Sequence, residues 1–128
     1  IRDSAKFMEG NSFSYAFLHC HSAYPSPPHH INLNFIDELS KICGGRIVGY
    51  SSHDVGLHIS LAALGKGERI FEKQITLDKQ GFGNDNAVSI EPHEMVEYSK
   101  SLREAFSAWV KLRKVVYELL APEKKVTE

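Results

Sequence analysis

The chain has 128 residues and a formal net charge of -1 at pH 7, with 42% hydrophobic and 24% charged residues. This length suits one domain, and this composition predicts a folded core rather than a disordered segment. The sequence contains no basic run and no apolar stretch of membrane-spanning length, so it indicates neither nucleic-acid binding nor a transmembrane helix.

The two cysteines, Cys20 and Cys43, are well separated in the sequence. The first residues lack the charged-then-apolar order of a signal peptide. We therefore expect reduced thiols rather than a disulfide, and a cytoplasmic protein. Cys20 is predicted to be a buried, neutral thiol rather than a nucleophile.

The first part of the chain predicts a strand followed by a helix. The apolar and aromatic stretch 14–22 is typical of a strand, and it ends in a proline-rich loop at 24–28. Apolar residues then recur at helical spacing, with Asn32 as the predicted N-cap and Gly44-Gly45 as the end of the helix.

The rest of the chain continues this alternation. The remaining predicted elements are a strand at 46–51, a helix at 56–64, a strand at 69–77, a polar loop at 78–86 and a long helix that begins at Pro92. Strands that alternate with helices form parallel sheets with right-handed crossovers. The predicted fold class is therefore α/β, built from three βα units.

Period-two alternation assigns the strand residues to two faces of the sheet. On one face the strands begin with apolar residues and end with polar ones, which include Ser22, His53 and Gln74. Neighbouring strands lie about 4.8 Å apart, so these three side chains are predicted to converge. Glu72 lies on the same face, where its predicted burial requires a partner or protonation. An ion pair and a catalytic role are both open for it.

The number of strands limits what the chain can form by itself. A closed eight-stranded α/β barrel takes about 250 residues. Three parallel strands leave two edges with unpaired backbone groups. The chain is therefore expected either to be a piece of a larger protein or to complete its sheet with another copy.

Several short blocks occur in one order along the chain: Leu18-His19-Cys20, Ser22-Ala23-Tyr24-Pro25, Asn32-Leu33, Gly49-Tyr50-Ser51, His53, Glu72-Lys73, Ile75-Thr76-Leu77-Asp78 and a last block from Gly83 to Pro92. Together they resemble the sialic acid (N-acetylneuraminate) synthase family, which condenses phosphoenolpyruvate with an N-acetylated amino sugar to form nonulosonic acids. The resemblance fades after about Ala108.

The resemblance implies a fold and an activity. Residues 1–128 would be a single partial domain, the C-terminal part of a TIM (β/α)8 barrel, with a divergent helical tail at 109–128. The activity would be that of a transferase that forms a carbon–carbon bond, in a homodimer. Because the first part of the family's barrel carries the lysines that grip the phosphate, the chain alone is expected to be inactive. The apolar residues from Leu112 to Leu119 are the predicted place of self-association.

The resemblance also implies site residues. His53 corresponds to a ligand of a divalent metal ion, Mn²⁺ or Mg²⁺. Ser22 and Ser51 correspond to positions near phosphoenolpyruvate, and Tyr24 and Asp85 to contacts with the sugar.

The chain departs from the family pattern at three positions. Gln74 stands where the second metal-binding histidine is expected, Ser52 replaces a common aspartate, and Asn86 stands where many members have histidine. An amide oxygen is a weaker ligand than imidazole for a transition metal, so weak metal binding is predicted. Glu72 matches a glutamate of the family and is a candidate catalytic group.

Other interpretations are open from the sequence. The sugar could belong to a pseudaminic or legionaminic acid synthase, or the chain could be a non-catalytic assembly module. His53 could be a hydrogen-bonded histidine without a metal. His19 and His21 are expected to point away from Cys20, so these three residues are not expected to share a zinc ion.

Overall fold

The computed structural model describes the backbone of residues 1–120 and the side chains of residues 1–108. Its elements in chain order are α1 (Arg2–Gly10), β1 (Leu18–Cys20), α2 (Pro28–Ile31), α3 (Phe35–Ile42), β2 (Gly49–Ser52), α4 (His58–Lys66), β3 (Ile70–Lys73) and α5 (Pro92–Leu120). The predicted alternation of strands and helices is present, with strands shorter than predicted.

The strands form one parallel sheet in the order β1-β2-β3. Cys20 pairs with Ser51, and Ser51 pairs with Glu72, so all three carboxyl ends lie at the same edge. The predicted third strand is interrupted, because β3 ends at Lys73 and the pairing resumes only where Ile75 bridges to Ile90 in parallel. The α/β class with a parallel sheet is confirmed.

One face of the sheet packs against helices and forms the core. Tyr50 of β2 is 1% exposed and lies in a cluster with Ile31, Ile36 and Ala63, which come from α2, α3 and α4. On α5, Tyr98 is buried and donates its hydroxyl to Ser60 of α4 at 2.8 Å. We call this the closed face.

The opposite face carries Cys20, Gly49, Ser51, Ile70 and Glu72, of which Gly49 and Ser51 on the middle strand are buried and the three residues on the outer strands are exposed. We call it the open face. Ile70 is 39% exposed, and both Cys20 and Glu72 are exposed. The predictions that Glu72 and Cys20 are buried are therefore wrong, because both residues point to this face. Parallel sheets are normally covered on both faces.

Two local features differ from the sequence prediction. Asn32 has φ 48° and ψ 62° and ends α2, so it is not the N-cap of the next helix. Asn tolerates this left-handed conformation better than most residues. α3 instead begins at Phe35, after Asn34. The short helix α2, with Pro28 at its start, and the N-terminal helix α1 were not predicted.

The long helix α5 begins at Pro92, as predicted. Its first turn is fixed by Glu94, whose carboxylate accepts a hydrogen bond from the Glu91 N–H at 2.8 Å and pairs with Lys79. The backbone is helical to Leu120, but the side chains of the apolar stripe from Leu112 to Leu119 lie outside the described residues. None of the described helices is both long enough and apolar enough to cross a membrane.

Candidate functional site

His53 is the central residue of the site. It follows β2 directly and is only 5% exposed. Its Nδ1 lies 3.1 Å from the carbonyl oxygen of His21, in the loop after β1. A carbonyl oxygen can only accept, so Nδ1 carries a hydrogen and donates it. In a neutral ring the lone pair is then on Nε2.

Ser51 connects this histidine with Glu72 on the neighbouring strand. The Ser51 hydroxyl donates to the Glu72 carboxylate at 2.6 Å, and Ser51 Oγ lies 3.3 Å from His53 Nε2. A hydroxyl has one proton, and the shorter contact with Glu72 takes it. The Nε2 lone pair is therefore not occupied by Ser51. The three residues therefore meet across the ends of β2 and β3.

Tyr24 covers the imidazole of His53. The two rings are stacked, with centroids 4.4 Å apart and an interplanar angle of 28°. Desolvation raises the pKa of the Tyr24 phenol, and the negative charge of Asp85 adds to the increase. Asp85 is therefore within electrostatic range of Tyr24. The Tyr24–Pro25 peptide bond is cis.

The loop after β1 is attached to the end of β2 through Ser26. The Ser26 N–H donates to the carbonyl oxygen of His53 at 2.9 Å, and the Ser26 hydroxyl lies 2.8 Å from the carbonyl oxygen of His21. Ser26 is 3% exposed, so these bonds are shielded from water. They hold Tyr24 and His21 against the imidazole. Ser22, in contrast, is exposed and is not part of this hydrogen-bonded group.

Gln74 lies one residue beyond β3. The parallel register ends with the pair Ser52 and Lys73, and the Gln74 carbonyl oxygen accepts a hydrogen bond from the Ile90 N–H at 2.9 Å. The Gln74 Oε1 atom is buried and has no hydrogen-bond partner among the described residues. A buried polar atom without a partner is costly, so a ligand or a covering segment is the expected source of its missing bond.

A buried network that the sequence reasoning missed supports the site from the closed face. The Asp54 carboxylate accepts hydrogen bonds from Tyr50 at 2.6 Å and from Ser52 at 2.9 Å. Lys73 donates to Ser52 Oγ at 3.0 Å and to the Asp54 carbonyl oxygen at 2.5 Å. Burial raises the pKa of Tyr50 and lowers that of Lys73.

This network joins the end of β2 to β3 directly behind His53 and Gln74. The sequence did contain a signal for it. Lys73 is a charged residue on the apolar side of a predicted strand, and lysine is rarely buried without a partner. Asp54, the acidic residue next to His53, is that partner: its backbone carbonyl oxygen accepts a hydrogen bond from Lys73, and its negative charge opposes the lowering of the Lys73 pKa.

A second group of ligand-type side chains lies at the start of α5. Ligand atoms of Glu91, His93 and Glu94 lie within 4.8 Å of one another. The Glu94 carboxylate already accepts the Glu91 N–H and pairs with Lys79, and these contacts lower its pKa. This group is therefore explained as the N-terminal cap of the helix.

The residues around His53 fit a divalent metal in part. Histidine ligands commonly donate one ring N–H to a carbonyl oxygen and use the other nitrogen for the metal, and His53 has this arrangement. Gln74 adds an unpartnered oxygen. One imidazole and one neutral amide make a weaker donor set than two imidazoles.

The fold and site together define an α/β protein with a polar site at the carboxyl ends of a parallel sheet. The structure is similar to that of the N-acetylneuraminic acid (sialic acid) synthetase from Leptospira borgpetersenii, determined in complex with citrate. The TM-score is 0.78 at 25% identity, over 97% of this chain and 46% of that one.

Sequence comparison gives the family. The human N-acetylneuraminate-9-phosphate synthase is 42% identical over 90 residues, which are 70% of this chain and 25% of that protein. The N,N'-diacetyllegionaminic acid synthase of Campylobacter jejuni is 41% identical over 87 residues, 68% of this chain and 26% of that protein. Residues 1–114 match the NeuB family model, and the chain belongs to this family. It spans about a quarter of the length of these curated relatives.

Proposed function

We propose that this chain forms the last three βα units of a TIM (β/α)8 barrel that condenses phosphoenolpyruvate with an N-acetylated amino sugar to a nonulosonic acid. The observation that carries the proposal is the meeting of His53, Ser51, Glu72 and Tyr24 at the carboxyl ends of three parallel strands. Active sites of such barrels lie at this end.

The open face and the free strand edges support the barrel. Ile70 and Glu72 are exposed on a face that parallel sheets normally cover, and β1 and β3 each have one neighbour among the described strands. Further strands beside β1 and β3 would pair these edges and enclose the open face. We propose activity only for the protein with the complete barrel, assembled as a homodimer in the cytoplasm.

The side chains have distinct proposed roles. Tyr24 presents a half-exposed ring beside His53 and offers a stacking surface and a hydroxyl to the sugar. Asp85, close enough to affect Tyr24 electrostatically, accepts sugar hydroxyls. Ser22 and Ser51 donate to the anionic groups of phosphoenolpyruvate. In the structure the Ser51 hydroxyl donates its hydrogen to the Glu72 carboxylate. Ser51 can donate to the substrate only when this hydrogen bond to Glu72 is broken, so Glu72 determines where the hydroxyl points.

A divalent metal ion, Mn²⁺ or Mg²⁺, would be held by His53 Nε2 and more weakly by Gln74 Oε1. When bound there it supplies a Lewis acid that polarises the sugar carbonyl. The buried network behind the site holds His53 in place, and Tyr24 shields the ring from water.

The names of the relatives limit the sugars to be tested. The human relative is named for a 9-phosphate product. The condensation adds three carbons at the aldehyde end of a six-carbon sugar, so C6 of the sugar becomes C9 of the product. A sugar 6-phosphate would therefore give a 9-phosphate. Because the identities of 42% and 41% do not separate the synthases, both N-acetylmannosamine, with and without phosphate, and diacetylated sugars are substrates to test.

Phosphate release from phosphoenolpyruvate tests the proposal. The full-length gene product is incubated with phosphoenolpyruvate, Mn²⁺ and each sugar, and the phosphate is measured. Release that depends on one sugar, and that falls at least tenfold in His53→Ala, is expected. Folded protein that releases no phosphate with any of these sugars would contradict the enzymatic function.

Gln74 favours a second candidate, a non-catalytic module of the same fold that serves assembly. A stable dimer of this chain that stays inactive when the rest of the barrel is supplied would support it. The substitution Gln74→His separates the two candidates. An enzyme adapted to glutamine gains little activity from the imidazole. A non-catalytic module with an otherwise complete site gains activity.

A further inference from the structure

Lys73 is bonded to both residues that flank His53 in the chain. Its ammonium group donates to Ser52 Oγ at 3.0 Å and to the Asp54 carbonyl oxygen at 2.5 Å. Ser52 is 0% exposed and Asp54 is 2% exposed, so both bonds are made to buried residues. One side chain of β3 therefore holds the chain immediately before and immediately after the imidazole-bearing residue.

The end of β2 is held by β3 from both faces of the sheet. Glu72, on the open face, accepts the Ser51 hydroxyl at 2.6 Å, and the next residue, Lys73, makes its bonds on the closed face. Neighbouring residues of a strand point to opposite faces. Two consecutive side chains of β3 thus fix opposite sides of one short segment.

A further contact fixes the backbone of His53 itself. The Ser26 N–H, in the loop after β1, donates to the His53 carbonyl oxygen at 2.9 Å. The residue is therefore held by the loop after β1 at its own carbonyl group and by β3 through both of its neighbours. With the backbone so fixed, His53 Nδ1 lies 3.1 Å from the His21 carbonyl oxygen, and Nε2 lies 3.3 Å from Ser51 Oγ.

The bonds of Lys73 reach beyond the strand pairing. Four registered pairs join β2 to β3, and the last of them is Ser52 with Lys73. β2 ends at Ser52, yet Lys73 also bonds to Asp54, two residues further along. What Lys73 adds to the pairing is therefore a hold on the segment that carries His53.

We propose that Lys73 is a positioning residue for His53, which fixes the segment 52–54 and thereby the direction of the imidazole ring. The inference rests on the proposed function and deepens it, because Lys73 acts through His53 from the closed face and does not touch the substrate. A misplacement of about 1 Å at a reacting group can lower a rate about 100-fold. Loss of Lys73 is therefore expected to lower the rate more than substrate binding.

The kinetics of the full-length gene product test this role. Lys73→Met removes the donors at similar side-chain length, and Lys73→Arg supplies donors again. Phosphate release is measured with phosphoenolpyruvate, Mn²⁺ and the sugar that supports it. We expect kcat to fall at least tenfold in Lys73→Met, with the KM for phosphoenolpyruvate changed less than threefold, and to return to within threefold in Lys73→Arg. The matched control is Lys79→Met, which removes a lysine paired with Glu94 and retains kcat.

Proton exchange at His53 gives a measurement that does not depend on activity. In protein labelled with ¹⁵N-histidine, nuclear magnetic resonance follows the Nδ1–H that donates to the His21 carbonyl oxygen, and His53→Gln assigns its signal. We expect this proton to exchange with water at least tenfold faster in Lys73→Met and at an unchanged rate in Lys79→Met. Circular dichroism establishes that each variant is folded. If Lys73→Met does not fold, Ser52→Ala, which removes one of the two acceptors, takes its place with an expected threefold increase in exchange.

Unchanged exchange or unchanged kcat in the folded variant overturns the inference. A loss of kcat that Lys73→Arg does not restore, or that Lys79→Met reproduces, overturns it as well, because general destabilisation would then explain the loss. Phosphate release by the unaltered protein with no effect of Lys73→Met refutes this inference alone. Faster exchange in Lys73→Met, with no phosphate release by the unaltered protein, refutes the proposed function alone.

Discussion

The two faces of the sheet differ in the burial and hydrogen bonding of their side chains. On the closed face, Tyr50, Ser52 and Asp54 are each 2% exposed or less, and their polar atoms bond to one another. On the open face, Cys20 and Glu72 are exposed although they belong to the same strands. The buried, stabilising contacts therefore lie on the closed face of the sheet, and the candidate functional residues lie on the open face.

Substitution of Asp54 is the strongest test of this division. Asp54→Ala leaves the Tyr50 and Ser52 hydroxyls without their acceptor and Lys73 without a neighbouring charge. We expect the free energy of unfolding to fall by about 3–5 kcal/mol, as when one partner of a buried charged network is removed. Urea denaturation followed by circular dichroism measures it. A loss below about 1 kcal/mol would show that the closed face does not depend on this network.

Gly49→Ala tests a tightly packed position on the open face. A Cβ atom at Gly49 would lie 2.8 Å from the backbone oxygen of Ile70 and 2.9 Å from Leu18 Cγ. Because backbone cannot give way as a side chain can, we expect a loss of about 2–3 kcal/mol in the unfolding free energy. Gly65→Ala is the matched control, since a Cβ atom there meets nothing within 4 Å. Equal effects of the two substitutions would contradict this reasoning.

Glu68 is expected to make the stability of the chain depend on pH. It lies two residues before β3 and is 3% exposed. Burial raises its pKa to about 7, and Arg69 opposes the increase only in part. The folded chain therefore holds this proton more tightly than the unfolded chain. The contribution to stability is present below about pH 4.5 and is lost as the pH rises towards about 7.

Glu68→Gln should remove this dependence. We expect the variant to gain about 3 kcal/mol relative to the unaltered chain between pH 4.5 and pH 7.5. Denaturant unfolding at several pH values measures the difference. A constant difference across this range would show that Glu68 has the same protonation in both states.

The smallest effect is expected at Glu72 on the open face. Glu72→Gln keeps an acceptor for the Ser51 hydroxyl and changes an exposed residue. We expect a change in unfolding free energy within about 0.5 kcal/mol. In the full-length gene product the same substitution is expected to lower the rate of phosphate release. A large loss of stability in the chain would place Glu72 in the structural part of the molecule instead.

The sequence predicted the features that depend on periodicity. The order of strands and helices and the start of α5 at Pro92 follow from alternation and parallel pairing. The convergence predicted for Ser22, His53 and Gln74 stays a prediction, since the group that the structure shows around His53 contains Ser51 and Glu72, and Ser22 is exposed. Tyr24 and Asp85 came from the family resemblance, and the structure brings Tyr24 against His53.

Other features depend on tertiary context and were missed or wrong. Burial of Glu72 and Cys20 was inferred from strand position alone, which does not tell whether a face is covered. Asparagine is favoured both as an N-cap and as a residue in the left-handed conformation that ends a helix. The presence of α2 before Asn32 gives it the second role. Lys73 could be recognised in the sequence as a charged residue among apolar ones. Its partners, Ser52 at the end of β2 and Asp54 just after it, could not be predicted.

The absence of a side chain at Gly49 also has a consequence for the shape of the sheet. Leu18 and Ile70 belong to the first and third strands, yet atoms of both reach the space directly above the middle strand at Gly49. In a flat sheet the side chains of two outer strands stand roughly twice the 4.8 Å strand spacing apart. Their approach here means that the outer strands' side chains fill the space that Gly49 leaves open, and a larger residue at position 49 would have to push them apart, next to the polar groups at Ser51 and Glu72.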